Sequence, residues 1–279
     1  MALDPITARC QLLALFEKPE PEIDLARAAL LVSAELVAGV EIEACLDEID
    51  RMADEVRPRL AACRSDLDQL LTLNHYLFSE LGFRGNEDDY YDPRNSFLHE
   101  LLGRRLGIPI SLAVVTIEVG RRIGVPIEGI AFPGHFLVRH ARQRYLIFDP
   151  FHGGDVLTLT ECAELFSRVA GADDGFESRY LQPAGAREMM VRLVTNLKSI
   201  YLKQNRVAEA LRMVELLLCL QPGDPQNLRD RGLLRVQAGE LGSGIEDLET
   251  YLALDPEPPD QQTVEALIAR AREGSPTVH

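Results

Sequence analysis

The sequence predicts an α+β fold followed by α-helical repeats. Three observations carry that prediction. Residues 110–123 are helix-length and apolar almost all the way round. Short β-rich segments follow between residues 125 and 148, broken by turn residues. Beyond residue 186 the pattern is purely helical, and Pro222 and Pro256 mark an internal repeat of 34 residues (256 − 222).

Taken in chain order, residues 23–37 carry Leu25, Ala28, Leu31, Val32 and Leu36 at helical spacing, after the Pro-rich lead EKPEPE. Helices over 41–57 and 66–81 come next, the second with Ser65 or Asp66 as its N-cap. The stretch GFRGNEDDYYDPRN, residues 82–95, is a loop rich in Gly, acids and aromatics. Asn95 is expected to cap a helix over 96–105, since Pro93 cannot lie inside it. Loops on rigid scaffolds supply binding groups, so Tyr90, Tyr91 and Asn95 are the expected binding residues. A plain inter-helix connection is the alternative.

The central helix starts at Pro109, where a missing N–H costs nothing, and stops at Gly124. Ile110, Leu112, Ala113, Val114, Val115, Ile117, Val119 and Ile123 surround it, so it must lie inside the molecule; it is too short to span a membrane. Strands are expected over 125–130, 136–140 and, past the polar turn 141–144, over 145–148. Antiparallel neighbours would set His135 beside Asp149, an imidazole next to the carboxylate that orients it. The turn FHGGD, a helix over 160–169 and a soft joint at 171–175 (GADDG) complete this part.

In the helical tail, Leu202 matches Val236, Leu211 matches Ile245, Leu218 matches Leu252 and Leu220 matches Leu254 at the same offset. Small residues recur mid-repeat, Ala208 and Ala210 against Gly242 and Gly244. This pattern resembles tetratricopeptide repeats, with residues 261–272 as a capping helix. Two repeats fall short of the roughly three that a free-standing solenoid needs, so the pair is expected to pack on the first domain.

Composition sets the outer bounds. The 279 residues are 46% hydrophobic, enough for one large or two modest cores. A formal net charge of −15 argues against nucleic acid or an anionic membrane as partner. The opening MALDPITARC lacks a charged-then-apolar leader, and no apolar run reaches about 18 residues. The five cysteines, Cys10, Cys45, Cys63, Cys162 and Cys219, form no C-x-x-C pair and read as reduced thiols, so a cytoplasmic location is expected.

A buried helix, then His on one strand and Asp-Pro on its neighbour, resembles the transglutaminase-like (papain-like) superfamily. The segments GFRGNEDDYYDPRNSFLHELLGRRLGIPISLAV, GVPIEGIAFPGHFLVRH and FDPFHGG are similar to its SirB-type bacterial branch, which joins such a domain to C-terminal tetratricopeptide repeats. The resemblance implies a transglutaminase-like domain over 1–175, with a helical front at 1–81 and a helix-and-antiparallel-sheet core at 82–170, then repeats over 186–273. It also implies a nucleophilic Cys at the start of the buried helix, its thiol pKa lowered by the helix dipole and the His. Aligned on Gly124 and Pro126, Pro109 falls in that register, and no cysteine lies between Cys63 and Cys162. Ser111 is the nearest substitute, but two positions along a helix rotate a side chain by ~200°. Its other reading is a hydroxyl bonded to its own backbone.

The expectation is a non-catalytic, regulatory protein- or peptide-binding module, a pseudoenzyme in which Ser111, His135 and Asp149 are a vestigial triad. The alternative is a Ser/His/Asp hydrolase or acyl transferase acting on amide or ester bonds. No cofactor is expected. His135, His140, His152 and Asp155 are close in sequence, but His135 and His140 are an odd number apart on one strand and face opposite sides, so no metal set is expected either. Gly153-Gly154 reads as a turn rather than a phosphate loop.

Overall fold

The structure, a computed structural model describing residues 3–170, 175–254 and 257–274, divides into two units, Met1–Leu193 and Val194–His279. In the first, helices lead the chain and side chains satisfy their free N–H groups. Asp4 accepts from Thr7 N–H at the head of α1 (Pro5–Leu15), and Asp24 from Arg27 N–H at the head of α2 (Leu25–Leu36). The stripe of α3 (Ile42–Val56) buries Ile42, Leu46, Ile49, Met52, Ala53 and Val56. Ser65 caps α4 (Asp66–Asn74) by accepting from Asp68 N–H. The helix expected over 66–81 changes character at His75, where His75–Glu80 widens into a π-helix.

Two short parallel strands, β1 (Arg84–Gly85) and β2 (Leu106–Gly107), bracket the acidic-aromatic loop and α5 (Leu98–Arg104). Here one expectation is corrected. Asn95 does not cap a helix over 96–105; it closes a 3-10 turn, Pro93–Asn95, that Asp92 caps by accepting from Arg94 N–H at 3.0 Å. The Asn95 amide turns inward, donating to the Asp89 carbonyl (2.7 Å) and accepting from Asn86 Nδ2 (3.0 Å). A fully buried amide needs partners on both of its ends, and the folded-back loop supplies them.

The central helix, α6 (Pro109–Ile123), lies inside as expected, with Ile110, Leu112, Ala113, Val114, Val115 and Val119 all buried. Gly124 ends it at φ +80°, a left-handed position suited to glycine. Four strands follow: β3 (Ile127–Ile130), β4 (Leu137–His140), β5 (Ile147–Asp149) and β6 (Asp155–Leu157). With β7 (Pro183–Ala184), which follows α7 (Leu159–Ala170), they form one antiparallel sheet in the order β6-β5-β4-β3-β7. The strands are shorter than the sequence suggested: Val125-Pro126 and Tyr145-Leu146 precede β3 and β5, with the Pro126 and Leu146 carbonyls accepting from Ala141 and His140 N–H. Ile130, Leu137 and Ile147 join Phe132, Cys162, Leu165, Phe166 and Leu181 in a core beneath α7, while α6 packs against β3 and β4. Of the expected soft joint, residues 171–174 lie outside the described residues.

The division between the units falls within α8 (Ala186–Lys203). The second unit continues with α9 (Val207–Leu220), α10 (Pro225–Gln237), α11 (Leu241–Leu254) and α12 (Gln261–Gly274). Leu228, Leu248, Tyr251, Val264 and Ile268 form its core. The buried Asp247 carboxylate takes both Arg231 (2.8 Å) and Arg235 (2.8 Å). Pro256, the repeat's second marker, lies outside the described residues. Among the described residues, no helix is long and apolar enough to cross a membrane. The fold is therefore α+β followed by helical repeats.

Candidate functional site

The site is built where β4 and β5 run side by side. His135 sits in the tight turn leading to β4, its N–H held by the Phe132 carbonyl at 3.0 Å. Gly134 makes that turn possible: its φ is +68°, and a Cβ there would stand 3.0 Å from the Val169 carbonyl oxygen. Asp149 ends β5, and its Oδ2 accepts from His135 Nε2 at 2.8 Å, with both residues buried.

A third residue joins them. Asp149 Oδ1 accepts from Phe151 N–H (2.9 Å), starting a 3-10 turn, Pro150–His152, that folds His152 back. His152 Nδ1 then lies 2.7 Å from the same Asp149 Oδ2. The two imidazoles stack with centroids 5.7 Å apart and planes 25° apart, and Phe151 sets its edge against both. Gly85 admits that ring, since a Cβ there would be 2.5 Å from Phe151 Cε2.

Burial pushes the Asp149 carboxyl up, but its bonds to His135 and His152 outweigh that and hold it well below the usual carboxylate range. His152, its side chain 45% exposed, is raised by its bond to Asp149 against a smaller opposing effect of burial. A polar cleft of about 330 Å³ opens beside these groups, lined by Asp149, His152, Asp155, Glu161, Glu164 and Arg168. A larger cleft of about 460 Å³ lies elsewhere on this unit, among Ile23, Ile117, Gly129 and Met189, and touches neither histidine. We place the site at the polar cleft, because that is where the titratable groups converge.

The expected triad is not assembled as a hydrogen-bonded chain. Ser111 is buried in the first turn of α6, where its hydroxyl donates to the Asn95 carbonyl (2.6 Å) and accepts from Ile108 N–H (3.0 Å). His135 and Asp149 are brought together; Ser111 is bonded elsewhere. Tyr90 reaches the site's rim, its ring edge-on to Phe151 at 6.0 Å, and the half-exposed Tyr91 packs on Tyr90 at 5.4 Å. Asn95 serves the loop's interior. His140, at the end of β4, is bonded elsewhere, its Nδ1 accepting from Gln143 N–H at 3.1 Å, while His135 lies in the turn before that strand and not on it. The spacing argument overlooked the group that does form: His135, Asp149 and His152 present ligand-type atoms within 4.8 Å of one another. Its sequence signal was Asp149 and His152 three residues apart across a Pro, in DPFH.

Cys162 is fully buried in the core beneath α7, and burial, with the Glu161 and Asp149 charges, pushes its thiol up to about 11. Thiol labelling at pH 8 should therefore modify the exposed Cys10 first and leave Cys162 intact until the chain is unfolded. Mass spectrometry of the labelled peptides checks this, and early modification of Cys162 would contradict it.

The sequence profile of the transglutaminase-like superfamily matches residues 43–195. The chain belongs to the transglutaminase-like superfamily. The profile of the tetratricopeptide repeat matches residues 197–269, immediately after it. A UPF0162 protein of Xylella fastidiosa is 45% identical over 192 residues, which cover 67% of this chain and 68% of that one. A UPF0162 protein of Vibrio cholerae is 27% identical over 271 residues, 96% of this chain and 100% of its own. Protein SirB1 of Salmonella typhimurium is 25% identical over 224 residues, covering 80% and 83% of the two chains. No solved structure matches. A transglutaminase-like domain followed by tetratricopeptide repeats, among relatives that include SirB1, makes this a SirB-type member of the superfamily.

Proposed function

We propose that this protein is a non-catalytic transglutaminase-like module of the cytoplasm that holds a protein or peptide partner through its repeats and the cleft beside Asp149. One observation carries the reading: the Ser111 hydroxyl is spent on the Asn95 carbonyl and the Ile108 N–H, inside the first turn of α6. A serine nucleophile must give its proton to a base, and here that proton is held by the Asn95 carbonyl instead. Pro109 fills the preceding register, and Cys162 is sealed in the core. The His135–Asp149 pair then fixes the β4–β5 corner and shapes the cleft instead of activating an attacking group.

The pair is also what favours the competing reading, a Ser/His/Asp hydrolase of amide or ester bonds. A fluorophosphonate probe distinguishes the two. On the full chain we expect no adduct at Ser111 after peptide mapping, and ester turnover that is unchanged in Ser111→Ala and His135→Ala. An adduct at Ser111 that disappears in His135→Ala, or a turnover that His135→Ala abolishes, would replace this reading with the hydrolase.

A further inference from the structure

We propose that His135, Asp149 and His152 form a binding site for one divalent first-row transition-metal ion. The inference goes beyond the interaction role proposed above by adding His152 to the His135–Asp149 pair. Three donor atoms of the right kind already converge: His135 Nε2 and His152 Nδ1 at 2.8 and 2.7 Å from Asp149 Oδ2, all within 4.8 Å of one another. Two imidazoles and one carboxylate suit zinc and its neighbours in the series, whereas magnesium and calcium take oxygen ligands.

The geometry asks for a modest adjustment. Tetrahedral ligands about 2.0–2.1 Å from a metal lie roughly 3.4 Å from one another. Each imidazole must therefore withdraw from Asp149 Oδ2 by about half an ångström while the two ring nitrogens approach a common point. His152 is placed to do this. Its side chain is 45% exposed, and it is followed by Gly153 and Gly154, both at positive φ. The carboxylate is already aimed, because Phe151 N–H holds Oδ1 and leaves Oδ2 as the ligand atom. Metal binding takes each imidazole through the nitrogen that now faces Asp149, so a proton on that nitrogen leaves it, for the ring's other nitrogen or for solvent.

Surroundings and access agree with this use. Phe151, with Tyr90 beside it, packs its ring against His135 on one side. On the other, the polar cleft offers a path for a cation past Asp155, Glu161 and Glu164. An ion held by three protein ligands keeps a fourth position open, and two of the three, Asp149 and His152, line that cleft.

The test uses the full chain, stripped by chelation and titrated with Zn2+ against a chromogenic chelator. One equivalent is expected to bind. His152→Ala, a substitution at a half-exposed position, should keep the circular dichroism spectrum. It should weaken Zn2+ by at least about 100-fold, since losing a ligand exceeds the roughly 10–100-fold cost of losing an outer-shell partner. His75→Ala, on an exposed histidine paired with Glu80, should leave affinity unchanged. Co2+ in place of Zn2+ should give the visible absorption of a tetrahedral site in the parent and not in His152→Ala. Binding by the parent that is no tighter than by His152→Ala, in either titration, overturns the proposal.

Discussion

Glu118→Ala should destabilise the first unit by about 3–5 kcal/mol, the usual cost of removing one member of a buried ion pair. Glu118 lies on the inner helix α6 with 1% of its surface exposed. Its Oε1 accepts from Leu25 N–H (3.0 Å), tying α6 to the first turn of α2. Its Oε2 takes the guanidinium groups of Arg121 (2.8 Å) and Arg122. Removing the carboxylate strands an N–H at the head of α2 and leaves Arg122, mostly buried, with Asp50 and the backbone carbonyl of residue 118. At roughly 2–4 °C per kcal/mol for a unit of this size, the midpoint should fall by about 10 °C in a thermal melt. Glu118→Gln keeps an acceptor for Leu25 and should recover part of the loss. A Glu118→Ala midpoint equal to the parent's would refute the linking role assigned to this residue.

In the second unit, Gly244→Val should force α10 and α11 apart. A Cβ at Gly244 would stand 2.7 Å from Val236 Cγ2 and 3.0 Å from both the Gly232 carbonyl oxygen and the Val236 nitrogen. Two of those three neighbours are backbone and cannot rotate aside. Overpacking of this kind costs about 1–3 kcal/mol, and the two methyls of valine put the effect at the upper end. Hydrogen exchange should show α10 and α11 losing protection together while α6 keeps its own. Gly242, two residues earlier, has nothing within 4 Å of its Cβ position, so Gly242→Ala should be neutral or mildly stabilising. Equal effects at the two positions would show that the close helix crossing is not what requires glycine.

These two glycines illustrate what could be read in advance. The 34-residue period exposed small residues at 242 and 244 alike, but only the crossing of two helices decides which one is in contact. The inner helix was legible because apolar residues surround α6, leaving no face for water. The His135–Asp149 pair was legible because strand order brings them together. The first helix was not: α1 buries only Ala8, Leu12 and Leu15, and contacts with α2 hold it in place. His152 was weighed and set aside with His140, and its bond to Asp149 was missed for a different reason. FHGGD reads as a turn, and it is one; that the turn returns a ring to Asp149 depends on Phe151 N–H finding Oδ1, a backbone detail that residue types alone do not encode. Asn95 was misplaced because an Asn after a Pro-containing loop fits a cap and a buried loop bracket equally well.

The short margins of the sheet bear on how the protein behaves in a crowded solution. One outer strand, β6, is three residues long and begins with Asp155; the other, β7, is two residues long and begins with Pro183, which has no N–H to offer. Neither is a template on which further chains can add. Edges this short offer a second copy little to pair with. An extended peptide that docks here must be gripped by side chains in a cleft or along the repeats, because the sheet has almost no free ladder to lend it.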